Sequence, residues 1–350
     1  MPRLRASPED FRVEEIPLYA PSGAGEHTFV CVEKRGRTTE DVAALFSKIA
    51  GVARRDVGYA GRKDRDAVAT QWFSVPRLAP ERALALALEG VRVLEAIPHR
   101  HKLRTGQLAG NRFEIVVREL DPGAAARCAE GLARLCERGM PNRFGPQRFG
   151  RDGGNAEQGL SVLRGLLPRM DRRKARFLVS ALQAAVFNEA LRMREAPLSS
   201  VARGEIAVVH GSGGLFRVED AAREQPRAEA FEISATGPIF GGRALEPEGS
   251  ALERERAALA AVGIDPARPL CPPRGIELRG ARRPLRVRPE AASLESLPGA
   301  LRLRFTLPPG SFATVLIEDL FGAEVALGPS PGDTASRGAL FSCHSGGTPP

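Results

Sequence analysis

A chain of 350 residues accommodates one or two domains. It is 43% hydrophobic and 27% charged and holds no apolar run of 18 residues, which excludes a transmembrane helix; Met1 to Phe11 lacks the apolar core of a secretory signal, so a cytoplasmic setting is expected. Lys plus Arg number 51 against 42 Asp plus Glu, a net charge of +9, and all but five of the basic residues are Arg. Guanidinium pairs with phosphate, but Arg-rich codon usage explains the bulk figure equally well.

In chain order, His27 to Lys34 reads as a strand. Thr38 to Asp41 resembles a capping box opening a helix, with Val42, Leu45, Phe46 and Ile49 at helical spacing and Gly51 as its stop. Phe113 to Leu120 reads as a strand and Pro122 to Gly139 as an Ala-rich helix. Phe177 to Arg194 reads as a long helix, followed by glycine-rich turns at 211–214 and 241–242. Another helix spans Ser250 to Val262, with a proline-rich segment at 265–273. Leu301 to Leu307 alternates strictly, as a half-buried antiparallel strand does. The Gly/Ser/Thr/Pro-rich residues 328–350 are expected to be a disordered tail.

Phosphate-binding and dinucleotide loops and the nucleophile elbow of hydrolases are absent from the sequence. Cys31, Cys128, Cys136, Cys271 and Cys343 are scattered and odd in number, which fits neither a disulfide framework nor a zinc site. His99 and His101 flank Arg100 and read as part of a basic surface segment rather than as a metal pair.

Three segments remain. In Val57 to Val75, Asp64 sits between Lys63 and Arg65, just past a glycine turn; flanking cations would orient a carboxylate for nucleophilic work, whereas an isolated tripeptide of this kind is commonly a neutralised surface turn. In His99 to Phe113, Arg100, Lys102, Arg104 and Arg112 form a basic stripe, closed by Asn111 and Phe113 on one side of a strand start. An amide beside a ring suits recognition of an unstacked RNA base. Pro141 to Gly150 interleaves Arg143 and Arg148 with two Phe-Gly pairs.

These segments resemble the TruD family of tRNA pseudouridine synthases. The resemblance rests on Pro8-Glu-Asp-Phe11, Gly23-Ala-Gly-Glu-His27, Ala60-Gly-Arg-Lys-Asp-Arg65, Lys102-Leu-Arg104, Gly110-Asn-Arg-Phe113, Phe144-Gly-Pro-Gln-Arg-Phe-Gly150, Ser180-Ala-Leu-Gln183 and Leu307-Pro-Pro-Gly-Ser-Phe-Ala-Thr314, in the family's order. It implies a cofactor-free isomerase that binds tRNA and needs neither metal nor membrane. Asp64 would be the nucleophile, acting on a uridine at position 13 in the D stem-loop region; Phe11, Asn111 and Phe312 would line the uridine pocket.

Lys63, Arg65 and Arg5 are the candidate partners of Asp64, and Arg100, Lys102, Arg104, Arg112 and Arg148 the candidate RNA contacts. The implied fold is α/β (α+β): a catalytic domain on a mixed, largely antiparallel sheet, interrupted by an inserted α/β domain. The catalytic domain would comprise 1–151 and 287–327, the insertion 152–286. Arg143 stands where the family usually has Tyr, Arg5 where Lys is common, and Ile317-Glu-Asp-Leu320 where Arg-Glu-Leu is usual. Competing readings are a non-catalytic tRNA-binding or chaperone protein using the same basic surface, and a glycoside-cleaving hydrolase, which would need Asp66 as a second carboxylate.

Overall fold

The computed structural model describes residues 2–150, 152–167, 170–267, 272, 275–322 and 326–327. Backbone packing divides the chain into two compact units: 2–129 with 290–309 and the described residues from 321 onward, and 130–289 with 310–320. The expected disordered tail lies outside the described residues.

The first unit is built on a sheet of ten strands among the described residues. Its main path comprises Phe11–Pro17 (β1), His27–Lys34 (β2), Val68–Pro76 (β3), Val91–His99 (β4), Leu108–Arg118 (β5), Glu290–Leu297 (β6) and Ala300–Leu307 (β7), in the spatial order β6-β7-β5-β1-β3-β2-β4. Along it only β1 and β3 are parallel, so the sheet is mixed and largely antiparallel.

Directly paired residues share a face. The registers Leu307↔Asn111↔Glu15, Phe305↔Phe113↔Val13, Val13↔Ala69↔Lys34 and Gln71↔Val32 therefore place Asn111, Phe113, Glu15, Gln71 and Lys34 on one face. Arg12, Glu14, Arg112 and Arg304 occupy the other. The helix Thr39–Ala50 (α1) covers the first face, burying Val42 and Phe46 against Val30, Val32, Phe73 and Val75. It begins and ends as its sequence predicts: Thr38 and Asp41 exchange side-chain-to-backbone hydrogen bonds, and Gly51 closes it at φ 65°. On the other face Phe29, Cys31, Trp72, Leu103 and Leu108 form a smaller core.

β5 begins at Leu108, five residues before the predicted Phe113, because pairing with both neighbours extends it. Gly110 permits this: a Cβ there would lie 2.8 Å from the Leu307 carbonyl oxygen.

The second unit packs Arg172–Arg192 (α2) against Asn155–Leu163 and Gly249–Ala261 (α3), with Leu178, Leu182 and Val186 in its core. α2 starts five residues before the predicted Phe177, since the Asp171 carboxylate accepts from the Arg173 and Lys174 N–H groups. Antiparallel strands Leu215–Arg217, Ile206–Val209, Ile233–Ile239 and Ala281–Pro284 form its sheet. This unit also holds 130–150 and 310–320, outside the 152–286 segment read as an insertion. The cause is local bonding: Phe144 and Asn188 exchange hydrogen bonds of 2.8 and 3.0 Å, and Asn142 Nδ2 donates to the Pro284 carbonyl. The helix Ala313–Phe321 (α4) belongs here except for its last residue. Among the described residues, no helix is long and apolar enough to cross a membrane.

Candidate active site

Asp64 lies in the turn preceding β3, and four contacts fix that turn from below. Gln71 Nε2 donates to the Gly61 carbonyl at 2.5 Å, and Thr39 Oγ1 accepts from the Lys63 N–H at 2.9 Å while donating to Gln71 Oε1 at 2.9 Å. Lys63 Nζ bonds Glu15 Oε2 at 2.7 Å, and Lys34 Nζ donates to the Asp64 carbonyl at 2.6 Å. Thr39, Gln71 and Lys34 are fully buried. Removing one of these partners would leave a polar group unsatisfied in the interior, which holds the turn in one conformation.

The Asp64 side chain itself emerges, about one-third exposed, and its Oδ2 receives Arg5 Nη2 at 2.8 Å. Arg5 adopts φ 61°, sparsely populated for a residue with a side chain, and its guanidinium lies 4.1 Å above the Phe11 ring. The segment after it is anchored by Asp10, whose buried carboxylate takes Arg118 through bonds of 2.7 and 3.0 Å and the Ser7 N–H at 3.0 Å.

Of the three candidate cations, therefore, Arg5 pairs with Asp64. Lys63, buried, pairs with Glu15, and Arg65 Nε bonds the Gly36 carbonyl at 3.2 Å. Burial pushes the Glu15 carboxyl up, with the Lys63 charge opposing. Burial also pulls the Lys34 ammonium down to about 8, with the Asp64 charge opposing. Lys34 escaped the sequence reading, although the Val30, Val32, Lys34 alternation would have placed it on the buried face of β2.

Phe11 is buried edge-on against Phe113, which stacks on Phe305 at 5.4 Å. Asn111 shares the face of Glu15, and its Oδ1 is buried without a hydrogen-bond partner among the described residues. Arg112 lies on the opposite face from Asn111 and pairs with Glu14 at 2.8 Å, so the linear stripe is split by the pleat. Arg100, Lys102 and Arg104 follow β4 in a loop.

In the second unit Phe312 is half-buried, 6.0 Å from the Phe144 ring, and a Cβ at Gly145 would meet it at 3.3 Å. Arg148 Nη2 donates to Ser180 Oγ at 2.7 Å. Arg143, one of the departures from the family pattern, pairs with another: its Nη2 lies 2.6 Å from Glu318 Oε2 and 3.6 Å from Asp319 Oδ1.

Both the fold and the sequence of this chain are matched by known proteins. The fold resembles the crystal structure of a Methanosarcina mazei protein assigned as tRNA pseudouridine synthase D, with a TM-score of 0.68 at 21% identity over 91% of this chain and 93% of that one. The family model described as tRNA pseudouridine synthase D (TruD) matches residues 2–167 and 154–320. The chain belongs to this family. Similar proteins named tRNA pseudouridine synthase D come from an Anaeromyxobacter species, 46% identical over 93% of both chains, and from Thermus thermophilus, 43% identical over 92% of this chain and 89% of the other.

Proposed function

We propose that this protein isomerises a uridine of tRNA, at position 13 in the D stem-loop region, to pseudouridine, with Asp64 as nucleophile. The observation that carries the reading, within a chain of this family, is the Arg5–Asp64 pair on a turn braced by Lys34, Thr39 and Gln71. The reaction breaks the bond from C1′ to N1, turns the base and joins C1′ to C5; N1 gains a proton and C5 loses one, so the sum is an isomerisation that requires no cofactor. The carboxylate's role is to promote glycosidic cleavage and hold the reacting fragment until the base has turned.

The uridine must leave its stack before that bond is reached. Stacking on an aromatic ring is worth about 1–3 kcal/mol per base and offsets part of this cost. Asn111, with its unpartnered Oδ1, is assigned to the base edge, where an uracil N–H would satisfy it. Phe11 is assigned to the wall beside it, and Phe312 to stacking on RNA. Arg148 and Arg112 are assigned to backbone contacts. A tRNA substrate accords with the cytoplasmic setting expected from the sequence.

The test is to incubate unmodified tRNA transcripts with the protein and map pseudouridine at single-nucleotide resolution. A single modified position in the D-arm region is expected. Asp64→Asn should abolish turnover and keep tRNA affinity within a few-fold. No pseudouridine with wild-type protein, despite tight tRNA binding, would leave the non-catalytic reading; free uracil would establish the hydrolase.

A further inference from the structure

Two segments singled out in the sequence, Gly23 to His27 and Lys102 to Arg104, have no part in the chemistry assigned to Asp64. They meet at the other end of β2. There His27 pairs directly with His99 at the end of β4. The His99 ring is buried between Tyr19, stacked at 5.4 Å, and Phe29 at 4.0 Å. Its Nδ1 accepts the Ser22 N–H at 3.1 Å, so the neutral ring carries its proton on Nε2 and presents a donor.

His27 Nδ1 is buried without a partner among the described residues. Arg100, His101, Lys102 and Arg104 line the same depression. Arg100 and Arg104 are exposed, and their guanidiniums make no hydrogen bond or ion pair to the described residues; the Lys102 ammonium donates to the Arg55 carbonyl. The depression depends on Gly25 (φ 137°), where a Cβ would lie 2.3 Å from the His99 carbonyl oxygen and 2.5 Å from Arg100 Cα. The 22–26 loop thus lies directly on the backbone that displays the cations.

The charge favours an anion. Burial and the neighbouring cations pull both His27 and His99 below the ordinary imidazole range, Lys102 and His101 acting on His27, and His101, His27 and Arg100 on His99. Glu26 and Asp56 are the acidic groups acting on His27. No group of three His, Cys, Asp or Glu among the described residues is placed to hold a metal ion.

We propose that this pocket binds a backbone phosphate of the tRNA substrate, remote from the reacting uridine. β2 separates the two sites: Lys34 at one end touches the Asp64 backbone, His27 at the other lines the pocket on the opposite face of the sheet, that of Phe29, and seven residues of strand span about 23 Å. The phosphate therefore belongs to a part of the RNA well away from the nucleotide being isomerised. The inference rests on the tRNA reading above.

The test compares wild type, Arg100→Ala with Arg104→Ala, and His101→Gln, with Arg127→Ala as charge control, since Arg127 is exposed and paired with Asp121. The dissociation constant of an unmodified full-length tRNA transcript is measured across a salt series, after thermal melting shows each variant folded. The double variant should weaken binding about tenfold at low salt and lower the slope of log Kd against log salt by about 1–2, each lost phosphate contact removing about 0.7–0.9. His101→Gln should weaken it about threefold, by analogy with loss of one donor, and the control should match wild type.

A hairpin containing only the modifiable stem-loop should bind wild type and double variant alike. An unchanged slope for the double variant, or equal losses on hairpin and full tRNA, would overturn the proposal, as would saturable binding of inorganic phosphate that leaves the tRNA slope untouched. Failure of the function reading is separate: it shows as no pseudouridine in the wild-type reaction.

Discussion

Arg5 Nη2 sits 2.8 Å from Asp64 Oδ2 across 59 residues of sequence, and Arg5 takes a left-handed backbone conformation to reach it. Such a conformation costs on the order of 1–3 kcal/mol, offset here by the ion pair, the contact with Phe11 and the Asp10–Arg118 anchor. Arg5→Met should lower kcat about 10- to 100-fold, the loss of a charge-assisted hydrogen bond of roughly 1.5–3 kcal/mol, with a smaller effect on KM. Arg5→Lys should recover part of the loss, and single-turnover kinetics on unmodified tRNA would show it.

Lys34 gives a pH-dependent signature. Its ammonium, held between the carbonyls of Arg37 and Asp64, is pulled from 10.5 down to about 8 by burial, with Lys63 adding to the shift and Asp64, Asp41 and Glu40 opposing it. Between pH 8 and pH 10.5 the unfolded chain binds the proton that the folded chain has released, so this group's contribution to stability rises with pH across that window. Below pH 8 both states are protonated and the contribution is constant. Denaturant unfolding should show wild type gaining on Lys34→Met across the window. The kcat profile of wild type should bend down near pH 8 as the charge under Asp64 is lost, and the Lys34→Met profile, lower throughout, should lack that bend.

Arg143, Glu318 and Asp319 tie the Asn142–Gly145 segment to α4, just beyond Phe312. A double-mutant cycle of Arg143→Ala and Glu318→Ala should give a coupling of about 1 kcal/mol. Burial already pushes the Asp319 carboxyl above its usual value of 3.8, with Arg143 opposing. Without Arg143 that carboxyl rises further, and a raised carboxyl loses stability as pH climbs through it. The Arg143→Ala deficit in chemical denaturation should therefore be larger at neutral pH than in mild acid.

Gly25→Ala tests the loop over His99 and Arg100. A methyl group 2.3 Å from a backbone oxygen, at φ 137°, cannot be relieved by a rotamer change. The variant should lose about 2 kcal/mol or more of stability and bind tRNA more weakly than Gly36→Ala, whose added methyl meets nothing within 4 Å.

The sheet, α1 and its caps were legible because periodicity and capping are local properties: Thr38, Asp41 and Gly51 sit where their chemistry requires, and the Leu301 strand pairs with β5. The shared face of Asn111 and Phe113 was legible for the same reason. Pairing across long separations was not. Lys63, Arg65 and Arg5 were all candidate partners of Asp64 and nothing in the linear sequence ranked them; the Arg5 pair closes over 59 residues. A stripe that includes Arg112 looks continuous in one dimension, but the pleat sends Arg112 to the face away from Asn111. The Arg143–Glu318 pair was visible only as two separate departures from a pattern, because nothing in a linear sequence joins them.

β2 lies one strand in from the edge of the sheet, hydrogen-bonded on both sides to β3 and β4, and so cannot stretch or bend freely. With the Asp64 turn at one end and the histidine pocket at the other, it acts as a fixed caliper. An RNA that offers a uridine at one jaw but no phosphate at the other is under-length. The enzyme would thus gauge the dimensions of its substrate before reading any base.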